Sequence, residues 1–394
     1  MIFLSIYCDN IYMFRDFFID FAIKRKYKHS LAQNEMLFEG SKINVRKKLI
    51  ILGGNASGKT TLGRLLCAVQ YYLIGREMDR YINLKDKIYD KKKPGTFKVE
   101  FAIKEEAYSL ECVFNENGII KESLKNVRIY PSYSINALRK KLEESAPVDT
   151  YMDDDASNYE SLSGRFGMAS NLLSKPSNKK LIDIFRGDVQ FTYSFSNFAS
   201  RQFTRILQVP VEKLNEILPN IDNSVDRVVA LKSSESDIES HSYMIVFKNG
   251  EHLTIPDGDL SRADRSRLSH GTYEALQFLG RLIDIKNNPS VVAYLDEQLA
   301  HQHTELESYM VMRALLLPRE GQLFCTTHNN ELLDLNVSPQ MILLFRRNKD
   351  GFNEAFYVSD KISKNDRGFK GYNDNDFFGV QPDYSVLDVF FEEE

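Results

Sequence analysis

Gly53-Gly54-Asn55-Ala56-Ser57-Gly58-Lys59-Thr60-Thr61 constrains the fold more than any other stretch of the chain. The apolar run Leu49-Ile50-Ile51-Leu52 leads into it, and Leu62-Gly63-Arg64-Leu65-Leu66 follows it. A buried strand therefore turns through a Gly-rich loop into a helix, the context in which a phosphate-binding loop works. The glycines let the backbone curl so that successive N–H groups point at one set of phosphate oxygens. The helix N-terminus adds partial positive charge on the same anion. In such a loop Lys59 reaches the outer phosphates and Thr60 offers its hydroxyl to Mg²⁺.

The 394 residues are enough for two or three domain-sized units. With 43% hydrophobic and 27% charged residues, the composition is that of an ordinary soluble globular protein. A formal net charge of −4 argues against a chain covered in nucleic-acid contacts, though not against a local basic surface. Cys8, Cys67, Cys112 and Cys325 lie far apart without metal-ligand spacing, and Cys67 and Cys325 read as reduced core residues. The N-terminus lacks a basic start and Asp9 soon interrupts it, so no secretion signal is expected. No apolar stretch approaches the roughly 20 residues of a membrane span. The expected location is the cytoplasm, with no membrane partner.

Residues 1–23 read as two short strands, and Phe97–Ile103, Ala107–Phe114 and Gly118–Glu122 as an antiparallel sheet. The stretch from about 126 to 225 changes character. Helical spacing appears at Ile135–Glu144, Lys179–Phe185 and Val211–Ile217, around Asp153-Asp154-Asp155 and a Ser/Asn/Gly-rich run at 157–178. It reads as a mostly helical insertion with a flexible part, and the acidic triplet as a solvated or disordered loop in preference to the alternative of a metal site. Strands resume at Arg227–Leu231 and Ser242–Phe247, and Asn249-Gly250 turns the latter into His252–Ile255. The remainder alternates strand and helix, as a parallel α/β core does.

Val291-Val292-Ala293-Tyr294-Leu295-Asp296-Glu297 is an apolar strand ending in two carboxylates, at the sheet end where α/β folds place ligands. Asp296 suits a Mg²⁺ shell and Glu297 a general base for an attacking water. Leu323-Phe324-Cys325-Thr326-Thr327-His328 is a second such strand. One helix, 303–316, fits between them, so a right-handed crossover sets the strands side by side and brings His328 toward the outermost phosphate. Leu268-Ser269-His270-Gly271-Thr272 opens the helix Tyr273–Ile285, a second helix N-terminus able to meet phosphate.

These four motifs, in their order along the chain (Gly53–Thr61, Leu268–Thr272, Tyr294–Glu297, His328), resemble an ABC-type ATPase, and more closely the SMC-like and OLD-like branch of soluble ABC ATPases. The hairpin Asn10-Ile11-Tyr12-Met13-Phe14-Arg15-Asp16-Phe17, running into Phe18-Ile19-Asp20-Phe21, is similar to that branch's first hairpin. So are the Ser-x-Gly-Thr signature at 269–272 and His303-Thr304-Glu305-Leu306, where Thr stands in for the branch's Pro. The resemblance covers roughly 1–120 and 225–345. It implies a P-loop NTPase head of the α/β class, with a parallel core sheet, an antiparallel β subdomain and the helical insertion. The units would be 1–125, the insertion 126–225, and 226–394 with the signature and strand-end motifs. It also implies ATP and Mg²⁺ as ligands and a homodimer or higher homo-oligomer with two ATPs sandwiched between protomers. Gly53, Asn55–Thr61, Asp296, Glu297 and His328 of one protomer would face the partner's Ser269 and Gly271.

The branch's Q-loop glutamine has no clear counterpart; Gln190 and Gln202 are the candidates. The insertion is far shorter than SMC coiled-coil arms. The last 66 residues offer neither the length nor the Asp-x-Asp pattern of the nuclease domain of OLD-like proteins, so the chain is not expected to cut nucleic acid. The expected function is an ATPase sensor and scaffold of a prokaryotic antiphage defence system of the PARIS or Septu kind. It would control a separate effector, a nuclease, in response to DNA or a phage-encoded trigger. The alternative is a repair or chromosome-maintenance ATPase that binds DNA directly through the clusters Lys24, Arg25, Lys26, Lys28 and Arg262, Arg265, Arg267. Transporter-type features are lacking.

Overall fold

The computed structural model describes residues 1–23, 35–153, 168–195, 198–199, 209–231, 242–256, 260, 264, 266–334, 337–362 and 369–380. Asp154, Asp155, Gln202, both basic clusters except Arg267, and the acidic tail Glu392-Glu393-Glu394 lie outside them.

Among the described residues, three sheets organise the chain. The first is antiparallel, in the order β2 (Phe17–Asp20), β1 (Ile2–Asp9), β4 (Gly95–Ile103), β5 (Glu106–Phe114), β6 (Ile119–Arg128), β7 (Asp149–Met152). The second carries the site. Its order is β16 (Asn353–Tyr357), β15 (Ile342–Arg347), β3 (Lys48–Gly53), β14 (Leu323–Thr327), β13 (Val292–Asp296), β8 (Phe191–Phe195), β9 (Phe198–Ala199). The five central strands of this sheet are parallel, and an antiparallel strand closes each edge. The third is a small antiparallel sheet of β10 (Val225–Ala230), β11 (Tyr243–Phe247) and β12 (His252–Ile255).

The unbroken apolar runs of the central strands follow from burial on both faces. Side chains alternate across a strand, so each run serves two cores. Leu49 and Ile51 pack with Leu62, Leu65 and Leu66 of helix α1 (Lys59–Leu73), beneath the antiparallel sheet. Ile50 and Leu52 face the other way. There they meet Ala275 and Phe278 of the helix His270–Asn287 and Val311 and Ala314 of the helix Thr304–Leu316. Helix α2 (Ile135–Glu144) covers the outer face of the antiparallel sheet with Leu138 and Leu142. Helices α3 (Lys179–Asp188) and α4 (Val211–Ile221) follow in the chain. The helices at 270–287 and 304–316 are then α5 and α6, and a single turn at Lys370–Asp374 is α7. Among the described residues no helix is long and apolar enough to cross a membrane.

The stretch 126–225 is less helical and less separate than its sequence suggests. It holds α2, α3 and α4, but β7 extends the antiparallel sheet and β8 pairs with β13 inside the parallel sheet. The run Phe191-Thr192-Tyr193-Ser194-Phe195 alternates aromatic with hydroxyl residues, a period of two, and every one of the five is buried. Its hydroxyls mask the apolar run that would mark a core strand.

Gln322, fully buried ahead of β14, ties the two large sheets together. Its Oε1 accepts from Phe3 N at 2.7 Å, and its Nε2 donates to Phe3 O and Arg46 O, both at 3.1 Å. A Gln322→Leu substitution keeps the volume but leaves three backbone groups unpaired in a dry interior. At about 1–3 kcal/mol for each buried unpaired group, the expected loss is roughly 3 kcal/mol or more. Chemical denaturation checks this, and a loss within experimental scatter would mean that water reaches the join.

Candidate phosphate-binding site

The Gly-rich loop opens at the end of β3, between β14 and β15. Gly53 has φ 154°, and a Cβ there would come within 2.4 Å of the Phe345 carbonyl oxygen, so only glycine lets the loop leave the sheet beside β15. Gly58, at φ 115°, caps α1 with no side-chain hydrogen bond to the first-turn N–H groups. Those donors are left to an anion. Ala56 is held in the left-handed region at φ 57°, a strain that loops retain where surrounding structure over-determines them.

Lys59, buried at the first position of α1, folds its Nζ back onto Gly53 O at 2.9 Å and Gly54 O at 3.2 Å. The same Nζ lies 3.4 Å from His328 Nε2 and 3.4 Å from Glu297 Oε1. Burial lowers the Lys59 pKa from its ordinary value, and the nearby Glu297 and Asp296 carboxylates oppose that shift. Thr60 Oγ1 donates to Asp296 Oδ2 at 2.7 Å, and Thr326 Oγ1 donates to Asp296 Oδ1 at 2.7 Å. Burial raises the Asp296 pKa and these two hydroxyls pull it back.

Glu297 sits one residue past the strand, at φ 49°, with its N–H on Thr326 Oγ1 at 3.0 Å. That left-handed turn swings the carboxylate out of line with β13. His328 Nε2 lies 2.8 Å from Glu297 Oε1. The hydrogen bond from His328 lowers the Glu297 pKa, reinforced by the Lys59 charge. Glu297 therefore stays ionised while a third of its side chain remains open to solvent.

A cleft of about 750 Å³ adjoins this group, within the range of small-molecule sites. Asn55, Ala56, Ser57, Gly58, Lys59, Thr60, Thr61 and Glu297 line one side. Ser57 Oγ is buried there without a hydrogen-bond partner. The oxygen donors of Thr60 and Asp296 suit a hard cation such as Mg²⁺, which keeps several waters and takes few protein ligands. Among the described residues no cluster of three or more His, Cys, Asp or Glu could hold a metal by itself.

The motifs mark little of the rest of the lining. Tyr12, Met13, Asp86–Tyr89, Arg347 and Asn353 form it. Of these, only Tyr12 and Met13 fall within a stretch that the motifs single out.

Ser269 and Gly271 do not line this cleft. Ser269 caps α5, its Oγ accepting from Thr272 N at 3.0 Å. Gln302 Nε2 donates to Gly271 O, which fastens the start of α5 to the loop after β13. Gln190 also lies away from the cleft. It precedes β8, and its carbonyl accepts from Val292 N at 3.0 Å. The glutamine that does touch the strand end is Gln298, whose Nε2 donates to Asp296 O at 2.5 Å and Ser194 O at 3.2 Å.

No family model and no curated protein matches the chain. Solved structures to which it is similar are heads of SMC proteins. One is an Smc head bound to the C-winged helix domain of ScpA, at 12% identity and TM-score 0.44, covering 92% of this chain and 100% of that one. Another is the SMC head domain from Thermotoga maritima, at 11% and 0.44, covering 91% and 100%. A third is an Smc head with an extended coiled coil, bound to the C-terminal domain of ScpA derived from Pyrococcus furiosus, at 11% and 0.42, covering 91% and 97%.

Proposed function

We propose that the chain is a Mg²⁺-dependent ATPase of the ABC type that closes around ATP as a head-to-head dimer. The observation that carries this is one convergence. Lys59 stands 3.4 Å from both Glu297 and His328, while the next residue, Thr60, is bonded to Asp296. Three strand ends and one helix start meet there, each with the residue type that phosphoanhydride hydrolysis uses.

Lys59 exchanges its bonds to Gly53 O and Gly54 O for oxygens of the outer phosphates. Ser57, Gly58 and the first-turn N–H groups of α1 cradle the same oxygens. Thr60 and Asp296 hold the metal, which when bound withdraws charge from the phosphates. Glu297, kept ionised by His328, takes the proton of the attacking water. His328 orients that carboxylate and reaches toward the terminal phosphate.

Ser269 is exposed and Gly271 half-buried, and neither touches the cleft of its own chain, which suits contact with the partner's nucleotide. Light scattering with and without ATP tests this. The expected result is a dimer only with ATP, and a Ser269→Arg variant that binds ATP yet stays monomeric. A wild-type protein that remains monomeric when saturated with ATP overturns the sandwich.

The proposed setting is prokaryotic antiphage defence, with the dimer as sensor and scaffold for a separate nuclease. Support comes from the motif set together with a stretch between the two halves of the head that is far too short for SMC-type arms. Co-purification of the ATP-held dimer with a nuclease supports that setting. No protein partner, together with DNA binding that falls steeply with salt, favours direct action on DNA in repair or chromosome maintenance.

A further inference from the structure

We propose that the β15–β16 hairpin supplies a second phosphate contact, with the Arg347 guanidinium and the Asn353 carboxamide reaching the nucleotide from beside the Gly-rich loop. This rests on the nucleotide reading above and adds to it two residues that no motif marks.

Arg347 and Asn353 are a cross-strand pair at the closing end of the hairpin, and both line the cleft. The hairpin is a firm platform. Asn348 N–H bonds Phe352 O at 2.8 Å, and Asn348 Oδ1 accepts from Asp350 N at 3.0 Å and Phe352 N at 2.9 Å. Gly351 supplies the positive φ of 83° that the turn needs. Asn353 N–H also bonds Met13 O at 2.9 Å, which fixes the hairpin to the N-terminal turn. Arg15 stacks on the Phe352 ring at 3.7 Å and Tyr89 meets it edge-on at 5.3 Å, so the whole wall is cross-braced.

Two observations point to a ligand. The first is Asn353 itself, only 4% exposed, with its Oδ1 buried and lacking any hydrogen-bond partner. Buried carboxamides are rarely left half-paired. Its Nδ2 sits 2.8 Å from the point where a Cβ on Gly58 would stand, directly against the loop residue that precedes Lys59. A donor there faces phosphate oxygens held by the loop, while the buried Oδ1 is turned away from the cleft. The second is the contrast between two adjacent arginines. Arg346 is spent on the fold, its Nε bonded to Glu354 and its NH1 to Phe378 O. Arg347 is exposed, and among the described residues no carboxylate pairs with it. β15 runs parallel to β3, with Phe345 opposite Gly53, so Arg347 emerges two residues further on, beside the loop. A guanidinium in that place matches the fork geometry of a phosphate better than an ammonium does.

Calorimetric titration with ATP and ADP tests the pair. Arg347→Ala is expected to weaken both by roughly tenfold or more, the size of one lost charge-assisted contact. Arg347→Lys should recover part of that loss. The affinity of Arg347→Ala should also fall less steeply with salt than that of the wild type, a readout that a packing role would not move. Asn353→Asp places a carboxylate against Gly58 and should weaken ATP binding at least as much. Arg347 is exposed, so its variants fold, and their melting temperature without nucleotide should match the wild type. Arg347→Ala binding ATP within twofold of the wild type, with an unchanged salt slope, overturns the proposal. If Lys59→Ala loses ATP in the same assay, the nucleotide site stands and only the hairpin's part falls. If Lys59→Ala binds as the wild type does, the nucleotide reading itself fails.

Discussion

Lys59→Ala is expected to abolish ATP binding at millimolar nucleotide. The Lys59 ammonium is buried at the mouth of the Gly-rich loop, and its present partners are two loop carbonyls, Glu297 and His328. Without it the outer phosphates face the Glu297 carboxylate with no charge between them. Charge-assisted hydrogen bonds contribute about 1.5–3 kcal/mol each, so the loss of two weakens binding on the order of a hundredfold to ten-thousandfold. The fold should survive, because α1 is anchored elsewhere. The Tyr294 hydroxyl donates to Lys59 O at 2.5 Å, and that main-chain contact persists in alanine. Differential scanning calorimetry should therefore show an unliganded melting temperature near that of the wild type and no rise on adding ATP. A rise equal to that of the wild type would remove Lys59 from the site.

Glu297→Gln is expected to bind ATP, to hydrolyse it at least a hundredfold more slowly, and to hold the dimer closed. Glutamine keeps the length of the side chain and can still bond His328, but it has no basic oxygen for the proton of water. General-base assistance contributes roughly 10²–10⁴ in rate. Binding should tighten a little, because a carboxylate beside the phosphates is replaced by a neutral group. Phosphate release and light scattering at saturating ATP read both effects, and turnover within threefold of the wild type would dismiss Glu297 as the base. His328→Ala should cost less in the Glu297→Gln background than in the wild type, because its part in orienting and ionising Glu297 is already lost and only its reach toward the terminal phosphate remains.

Local chemistry made half of the site legible in the sequence. Glycines where the backbone must take positive φ, an apolar run before them and a helical pattern after them are properties of adjacent residues. The carboxylates after Leu295 and the histidine after Thr327 were readable as strand ends, and the helix between them implied that the strands lie side by side. The rest depends on distant pairing. Asn353 and Arg347 reach the loop because β15 lies against β3, and nothing near either residue announces that. β8 stayed hidden because Thr192 and Ser194 look like surface residues, although Ser194 Oγ is bonded to Gln298 at 2.8 Å within the sheet end. The left-handed turn at Glu297 was equally invisible, since glutamate carries no preference for it.

The pairing of β3 has a consequence for how the protein is made. Lys48 pairs with Leu323, and Ile50 pairs with Ile342. Both neighbours of the strand that carries the Gly-rich loop are therefore synthesised long after it. At about 5–20 residues per second, the interval is on the order of tens of seconds. Throughout it Leu49–Leu52 is an apolar segment with two open edges, the kind of stretch that pairs with a wrong partner. ATP cannot serve as a template for the early half of the nascent chain, since the carboxylates, the histidine, Arg347 and Asn353 do not yet exist. The sheet around β3 cannot close until its last strands have been made, and its long-range pairings favour slow folding.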